Sequence, residues 1–353
     1  MTEKIIMKGN EALAEAAIGA GCRHFFGYPI TPQTEVAAYM AKRLPPIGGT
    51  YLQAESEIAA INMVLGASAA GVRAMTSSSS PGISLKAEGI SYLAGCDLPC
   101  LIVNIQRGGP GLGGIQPAQS DYFQATKSTA HGDFHILVFA PATVQEMADL
   151  VSTAFDLADK YRMPAMVLAD GMLGQMMEPV VLPEESAAAA LAKPWALDGH
   201  QGRRPHNVVN SLYLTPEDLE KIVIGRFARY AEVRQNEQRA EEYLVGDAEI
   251  ILVAYGATSR IAKSAIAKAR AEGIKAGLIR PITLYPFPEA IIEKYIGSAK
   301  VFVSVEMSMG QMIDDIRLVV NGRRPVEFYG RTGGVLPVPD EVYGKIKEIA
   351  GRL

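Results

Sequence analysis

The sequence is poor in the residues that announce several kinds of chemistry. It has three cysteines, Cys22, Cys96 and Cys100. Such an odd, sparse set is neither a disulfide framework nor a close-spaced zinc or iron–sulfur run, so buried reduced thiols are expected. If redox chemistry occurs here, this chain is not expected to carry its metal. No stretch approaches the ~18 uninterrupted apolar residues of a membrane span. The opening segment MTEKIIMKGN has no apolar signal core, so a cytoplasmic location is expected. The formal net charge of -4 gives no reason to expect nucleic acid or an anionic membrane surface as partner. The five histidines lie away from the serine run at 77–80, so no Ser-His-Asp arrangement is legible.

What is present is an ordinary globular composition, 48% apolar and 20% charged, in 353 residues, enough for two domains. Helical and strand patterns alternate through the first 170 residues. The spacing predicts a helix through EALAEAAIGAG capped by Asn10, a strand at HFFGYP (24–29) and a helix at TEVAAYMAKRL (34–44). A helix over 56–71 rich in Ala, Gly and Ser follows, then a strand at RAMTSS, a helix at SLKAEGISYLAG and a buried strand at PCLIVNIQ (99–106). HILVFAPAT, a helix over 143–160 and PAMVLAD (164–170) complete the run. This rhythm implies an α/β fold with a parallel sheet covered on both faces, whose ligands sit beyond the carboxyl ends of the strands. Thr31, Thr76 to Ser80, Arg107 and Asp170 all fall there. An irregular arm from 181 and a charged helix over 216–243 lead to a second, smaller α/β unit. That unit runs through EIILVAYG, a helix from Thr258, KAGLIRPITLYPFP, KVFVSVEMSMG and a helix from Gln311.

Gly109-Pro-Gly111-Leu-Gly113-Gly114 contains the dinucleotide pattern G-x-G-x-x-G after a strand. A nicotinamide site also needs a helix opening at the third glycine and an acid about twenty residues on. Ile115-Gln116-Pro117 intervenes and no convincing acid follows, so the segment reads as a flexible cover over something bound nearby.

Three residues are candidates for a site. Thr31, framed by Pro29 and Pro32, is either a helix N-cap or a hydroxyl held at the site edge. Glu57 opens a helix too apolar all round for a surface; a helix-dipole role explains an exposed acid, whereas a buried carboxyl must be paired. Arg107 ends a buried strand beside glycines, placed either for an edge ion pair or to grip a carboxylate with two hydrogen bonds. The serines at 77–80 read as turn residues or as hydroxyls and amides lining a pocket, Ser79 and Ser80 among them. A carboxyl, a cation and a hydroxyl at one sheet edge suggest a small anionic substrate.

GYPITPQTE, QAESEIAA, TSSSSPGISLKAEGISYLAG, NIQRGGPGLGGIQPAQSDYFQATK and VEMSMGQM resemble, in order and over nearly the whole chain, the alpha subunit of the 2-oxoacid:ferredoxin oxidoreductases. MKGNEALAEAA with SSSSPGISLK is most similar to the branched-chain type, acting on 3-methyl-2-oxobutanoate. The resemblance implies a thiamine-diphosphate-fold pyrimidine-binding domain (1–180), a connecting arm and helix (181–245), and a transketolase-C-terminal-like domain (246–353). It implies oxidative decarboxylation of a 2-oxoacid with coenzyme A to acyl-CoA, carbon dioxide and reduced ferredoxin. It matches Glu57 to the acid that pairs with the cofactor's pyrimidine and favours its imino form, Arg107 to the arginine that orients the substrate carboxylate, and Thr31 to the proline-framed threonine. Ser79 and Ser80 join Glu57 and Thr31 as cofactor-binding residues.

A thiamine enzyme also needs a Gly-Asp-Gly diphosphate and metal segment. Asp170-Gly171 in LADGMLG is only a fragment of one. The resemblance therefore assigns Mg2+ and the diphosphate grip to a beta subunit, and the iron–sulfur path to partner subunits that include gamma and ferredoxin-like chains serving ferredoxin. Three alternatives stay open: a subunit acting on 2-oxoglutarate or aryl glyoxylates, electron delivery to NAD through a further subunit, and a non-catalytic structural subunit. Glu306 and Gln311 are read as part of an interface or as a solvated loop.

Overall fold

A computed structural model describes residues 4–182, 192–200 and 202–353. Every residue of the strands Ala74–Ser78, Leu101–Gln106 and Ala165–Asp170 is buried, as strands in a sheet sandwiched between helices must be. They lie inside a seven-stranded sheet. Its order is Thr283–Tyr285, Leu137–Phe139, Ala165–Asp170, Leu101–Gln106, Ala74–Ser78, His24–Gly27, Thr50–Gln53. All neighbours are parallel except the first pair. Two helix pairs cover it: Gly9–Gly19 packs on Val144–Tyr161, and Glu57–Ala69 packs on Pro81–Gly95.

The second sheet has five strands, ordered Val326–Gly330, Val301–Glu306, Ile250–Val253, Ala276–Pro281, Ala240–Tyr243, with only the last antiparallel. Helices Gly256–Ala271 and Pro339–Ala350 pack together on it. Among the described residues no helix is long and apolar enough to cross a membrane.

Several elements depart from the sequence expectation. The helix expected over 216–243 spans Pro216–Asn236, and Ala240–Tyr243 becomes an edge strand. The break falls at Glu237, whose buried carboxylate accepts from the Tyr161 hydroxyl (2.8 Å) and Lys160 Nζ (3.0 Å) and so turns the chain inward. KAGLIRPITLYPFP does not stay in one sheet. It divides at Ile282, and Thr283–Tyr285 crosses to pair with Leu137–Phe139 of the large sheet. Asn10 is not a cap; it lies inside helix Gly9–Gly19, and its amide donates to Pro32 O and Glu35 Oε2, both at 2.9 Å. The alanine run at 187–190 lies outside the described residues, and the described part of the arm between 192 and 215 has turns but no helix or strand. Cys22 and Cys100 are buried as expected, whereas Cys96 is only half-buried.

The two sheets are joined by buried polar contacts. Gln119 donates its amide to Tyr255 O (2.8 Å) and its backbone N–H to Met307 O (2.9 Å). Gln311 accepts from Phe123 N–H and donates to Ser120 O, both at 2.8 Å. The Tyr122 hydroxyl donates to Asp315 (2.5 Å), and Arg280 bridges Glu146 and Glu241. Gln311 thus holds an interface within the chain. Glu306 is no solvated loop residue: it is fully buried, and its carboxylate accepts the N–H groups of Gln311, Met312 and Ile313 and the hydroxyls of Ser304 and Ser308.

Candidate functional site

At the carboxyl ends of the large sheet's strands, a helix start, a serine run and a strand terminus converge. Ser56 caps the helix Glu57–Ala69 by accepting the Ala59 N–H at 3.2 Å, which leaves Glu57 as its first residue. Glu57 is only 6% exposed, yet among the described residues its carboxyl accepts no hydrogen bond. Beside it the strand Ala74–Ser78 carries Thr76 and Ser78 on one face, as the two-residue period requires. The hydroxyls of Thr76, Ser78 and Ser79 are buried without partners among the described residues. Ser77 points the other way and is satisfied by Gln33 Oε1 at 2.5 Å. Unpaired buried polar groups each cost on the order of 1–3 kcal/mol, so a cluster of them marks a place where something polar binds.

Gly82 makes this cluster possible. A Cβ there would collide with the Ser78 hydroxyl and come within 2.9 Å of Glu57 Oε1. Gly82→Ala should therefore displace the Glu57 carboxyl. Loss of ligand binding at this site in the assembled protein, with the helical circular dichroism retained, is the expected result.

Arg107 follows the strand Leu101–Gln106 and is 6% exposed. Its Nη1 donates to Thr31 O (3.0 Å) and its Nη2 to Leu112 O (3.2 Å), while Nε is buried without a partner. Arg107 thus ties the Thr31 turn to the glycine loop. Its backbone N–H donates to Ser80 Oγ at 3.0 Å, and that hydroxyl sits 2.6 Å from Asp121 Oδ2. Asn104 completes the knot, donating to Asp121 Oδ2 (2.9 Å) and accepting the Ser80 N–H (3.1 Å). Burial raises the Asp121 carboxyl above the usual carboxylate range, against the lowering effect of Ser80, Asn104 and the nearby Arg107 charge. The Ser80 hydroxyl is committed to this knot, whereas that of Ser79 is free.

Thr31 is exposed, and the helix after it starts only at Thr34 with Gln33 at the boundary, so Thr31 is not the helix cap. Residues 109–114 are exposed, and the next helix is the short Tyr122–Thr126. No helix opens on the glycines, as a dinucleotide pyrophosphate would require. Asp170 is spent on capping Gly171–Gln175 through the N–H groups of Met172 (2.9 Å) and Leu173 (3.1 Å). Burial pushes its pKa up to about 6.

Sequence reasoning passed over Lys86. It lies one turn after Gly82 on the helix Pro81–Gly95 and has no exposed surface. Its Nζ sits 3.4 Å from the Glu57 carbonyl oxygen. Burial lowers its pKa to about 8, against the opposing pull of Glu57. A lysine two residues from an exposed glutamate, within the mostly small and apolar run PGISLKAEG, was the available signal.

A family model described as "Pyruvate flavodoxin/ferredoxin oxidoreductase, thiamine diP-bdg" matches residues 15–244. A second, "Pyruvate:ferredoxin oxidoreductase core domain II", matches residues 248–342. The chain is 51% identical to the ketoisovalerate oxidoreductase subunit VorB of Methanothermobacter thermautotrophicus over 98% of each chain. It is 38% identical to the 2-oxoglutarate synthase subunit KorA of Methanocaldococcus jannaschii, over 95% of this chain and 97% of that one. A solved 2-oxoglutarate:ferredoxin oxidoreductase from Magnetococcus marinus, with 2-oxoglutarate, coenzyme A and succinyl-CoA bound, matches at a TM-score of 0.89 and 30% identity. That match covers 99% of this chain and 66% of that one. A split gene transketolase at 14% identity shares the fold, with a TM-score of 0.61. The chain belongs to the 2-oxoacid:ferredoxin oxidoreductases, as a subunit bearing their thiamine-diphosphate-binding domain.

Proposed function

We propose that this chain is the pyrimidine-binding subunit of a complex that oxidatively decarboxylates a branched-chain 2-oxoacid, 3-methyl-2-oxobutanoate foremost. In this reading coenzyme A takes up the acyl group, and acyl-CoA, carbon dioxide and reduced ferredoxin leave. The observation that carries the site is the buried Glu57 carboxyl, set with the Ser78 hydroxyl over Gly82, and the hydroxyls of Thr76, Ser78 and Ser79 that lack partners among the described residues. The 51% likeness to a ketoisovalerate oxidoreductase subunit supports the substrate.

The donors and acceptors fit an aminopyrimidine edge, and the absent Cβ of Gly82 leaves the carboxyl in place to meet it. Thiamine diphosphate, when bound, supplies the carbon nucleophile and the electron sink for decarboxylation. Glu57 would hold a hydrogen bond to its ring nitrogen. Arg107, whose Nε is unpaired, orients the carboxylate of the oxoacid, and Thr31 and the glycine loop it grips form the wall on that side. Ser79, whose hydroxyl lacks a partner among the described residues, would hydrogen bond to the cofactor. Ser80 acts from behind, through its knot with Asp121.

Residues 1–180 form the pyrimidine-binding domain, 181–245 the connecting arm and helix, and 246–353 the transketolase-C-terminal-like domain. A beta subunit provides Mg2+ and the diphosphate grip. Gamma and ferredoxin-like subunits with iron–sulfur clusters carry electrons to ferredoxin, in the cytoplasm of an anaerobic metabolism.

Reconstitution of the chain with its neighbouring subunits tests this. Viologen reduction should show its highest kcat/KM with 3-methyl-2-oxobutanoate, ahead of 2-oxoglutarate and phenylglyoxylate. A complex that prefers 2-oxoglutarate would overturn the branched-chain assignment. One that reduces NAD directly would overturn the ferredoxin route.

A further inference from the structure

Lys86 is fully buried and forms no ion pair with any described residue. The helix Glu57–Ala69, against which its own helix packs, carries no other titratable side chain than Glu57. On its own helix the remaining titratable groups are Glu88 and Tyr92, which hydrogen bond to each other at the surface. Among the described residues no carboxylate lies within ion-pair distance of Lys86, and its Nζ reaches the first residue of the helix that presents Glu57. Apolar side chains would fill this space without the cost of a buried charge.

We propose that Lys86 is a positioning residue for Glu57. It anchors the first turn of the Glu57 helix and places a positive charge behind the carboxyl, which draws the proton of the Glu57–pyrimidine hydrogen bond toward the ring nitrogen. The inference rests on the pyrimidine-binding reading of Glu57. A hydrogen bond between ionised partners is roughly twice as strong as a neutral one, so the charge on Lys86 tightens cofactor binding. Because burial lowers the pKa of this amine to about 8, that contribution fades between pH 7 and pH 9.

The test is thiamine diphosphate binding, with Mg2+, to the reconstituted complex at pH 7 and pH 9. Wild-type affinity should fall about fivefold over that interval, because a tenfold coupling raises the amine's pKa by about one unit on binding and leaves it half charged at pH 9. Lys86→Met fills the same space without charge. It should bind about tenfold more weakly at pH 7, with a flat profile, and melt no lower than wild type. Lys86→Arg, which stays charged throughout, should match wild type at pH 7 and keep that affinity at pH 9, where wild type has lost it. A Lys86→Met complex with wild-type affinity and wild-type pH dependence would overturn the inference. Glu57→Gln separates the two levels of the argument. If it too leaves affinity untouched, the pyrimidine-binding reading fails; if it weakens binding while Lys86→Met does not, only the role of Lys86 fails.

Discussion

Glu57→Gln in the reconstituted complex should lower 2-oxoacid-dependent viologen reduction by about 10²–10⁴-fold, the range for removing a group that manages a proton in the transition state. The substitution is well suited to separating chemistry from folding. Gln has the same shape, and the carboxyl it replaces gives up no hydrogen bond within the described chain. What the fold loses is the attraction of an acid to the first turn of its helix, about 0.3–1 kcal/mol. Subunit assembly and melting temperature should therefore stay close to wild type while turnover collapses. Normal turnover would make Glu57 a structural helix acid and remove the chemical role from this chain.

The largest effect on stability is expected at Glu306. Its carboxylate is fully buried at the end of strand Val301–Glu306 and is held by five donors between 2.7 and 3.1 Å. Three of them are the N–H groups that open helix Met312–Val320, which otherwise lack a partner in the helix itself. Glu306→Ala strands those three groups and the two serine hydroxyls in the interior, at on the order of 3–5 kcal/mol. The same helix presents Asp315 to Tyr122 and Lys127, so the loss reaches the contact between the two sheets. Denaturant unfolding followed by far-ultraviolet circular dichroism measures it. A loss below about 1 kcal/mol, the worth of a single ordinary hydrogen bond, would rule this account out.

The central strands were legible because burial on both faces leaves its mark in composition: LIVNIQ and AMVLAD are nearly continuous apolar runs. The edges were not. Thr50–Gln53 is mostly exposed, and Ile5–Lys8 pairs with Met177–Val180, far away in sequence. Thr283–Tyr285 read as part of the preceding strand because an apolar stretch looks the same in either sheet. Asn10 satisfied the local rule for a cap, but two partners from the Pro32–Glu35 turn and helix outweighed it. In the site, Glu57 stood out as an acid opening an apolar helix, and Arg107 as a cation closing a buried strand. The polar knot of Ser80, Asn104 and Asp121 was invisible, since its members are brought together only by the order of the strands. Lys86 stayed hidden for a related reason. Its distance from Gly82 is an ordinary helical turn until the neighbouring helix supplies the carboxyl that gives the spacing meaning.

The crossing of Thr283–Tyr285 into the large sheet has a further consequence. An uncovered sheet edge is a template for unwanted pairing, and short or borrowed edge strands are one protection against it. Here the protection comes from sequence more than 140 residues beyond the strand it covers, Leu137–Phe139. The amino-terminal half, emerging first during synthesis, carries an open adhesive flank until the carboxyl-terminal half arrives to seal it. The two halves are thus obliged to mature as one piece, and a gene split between them would deliver a chain prone to self-association.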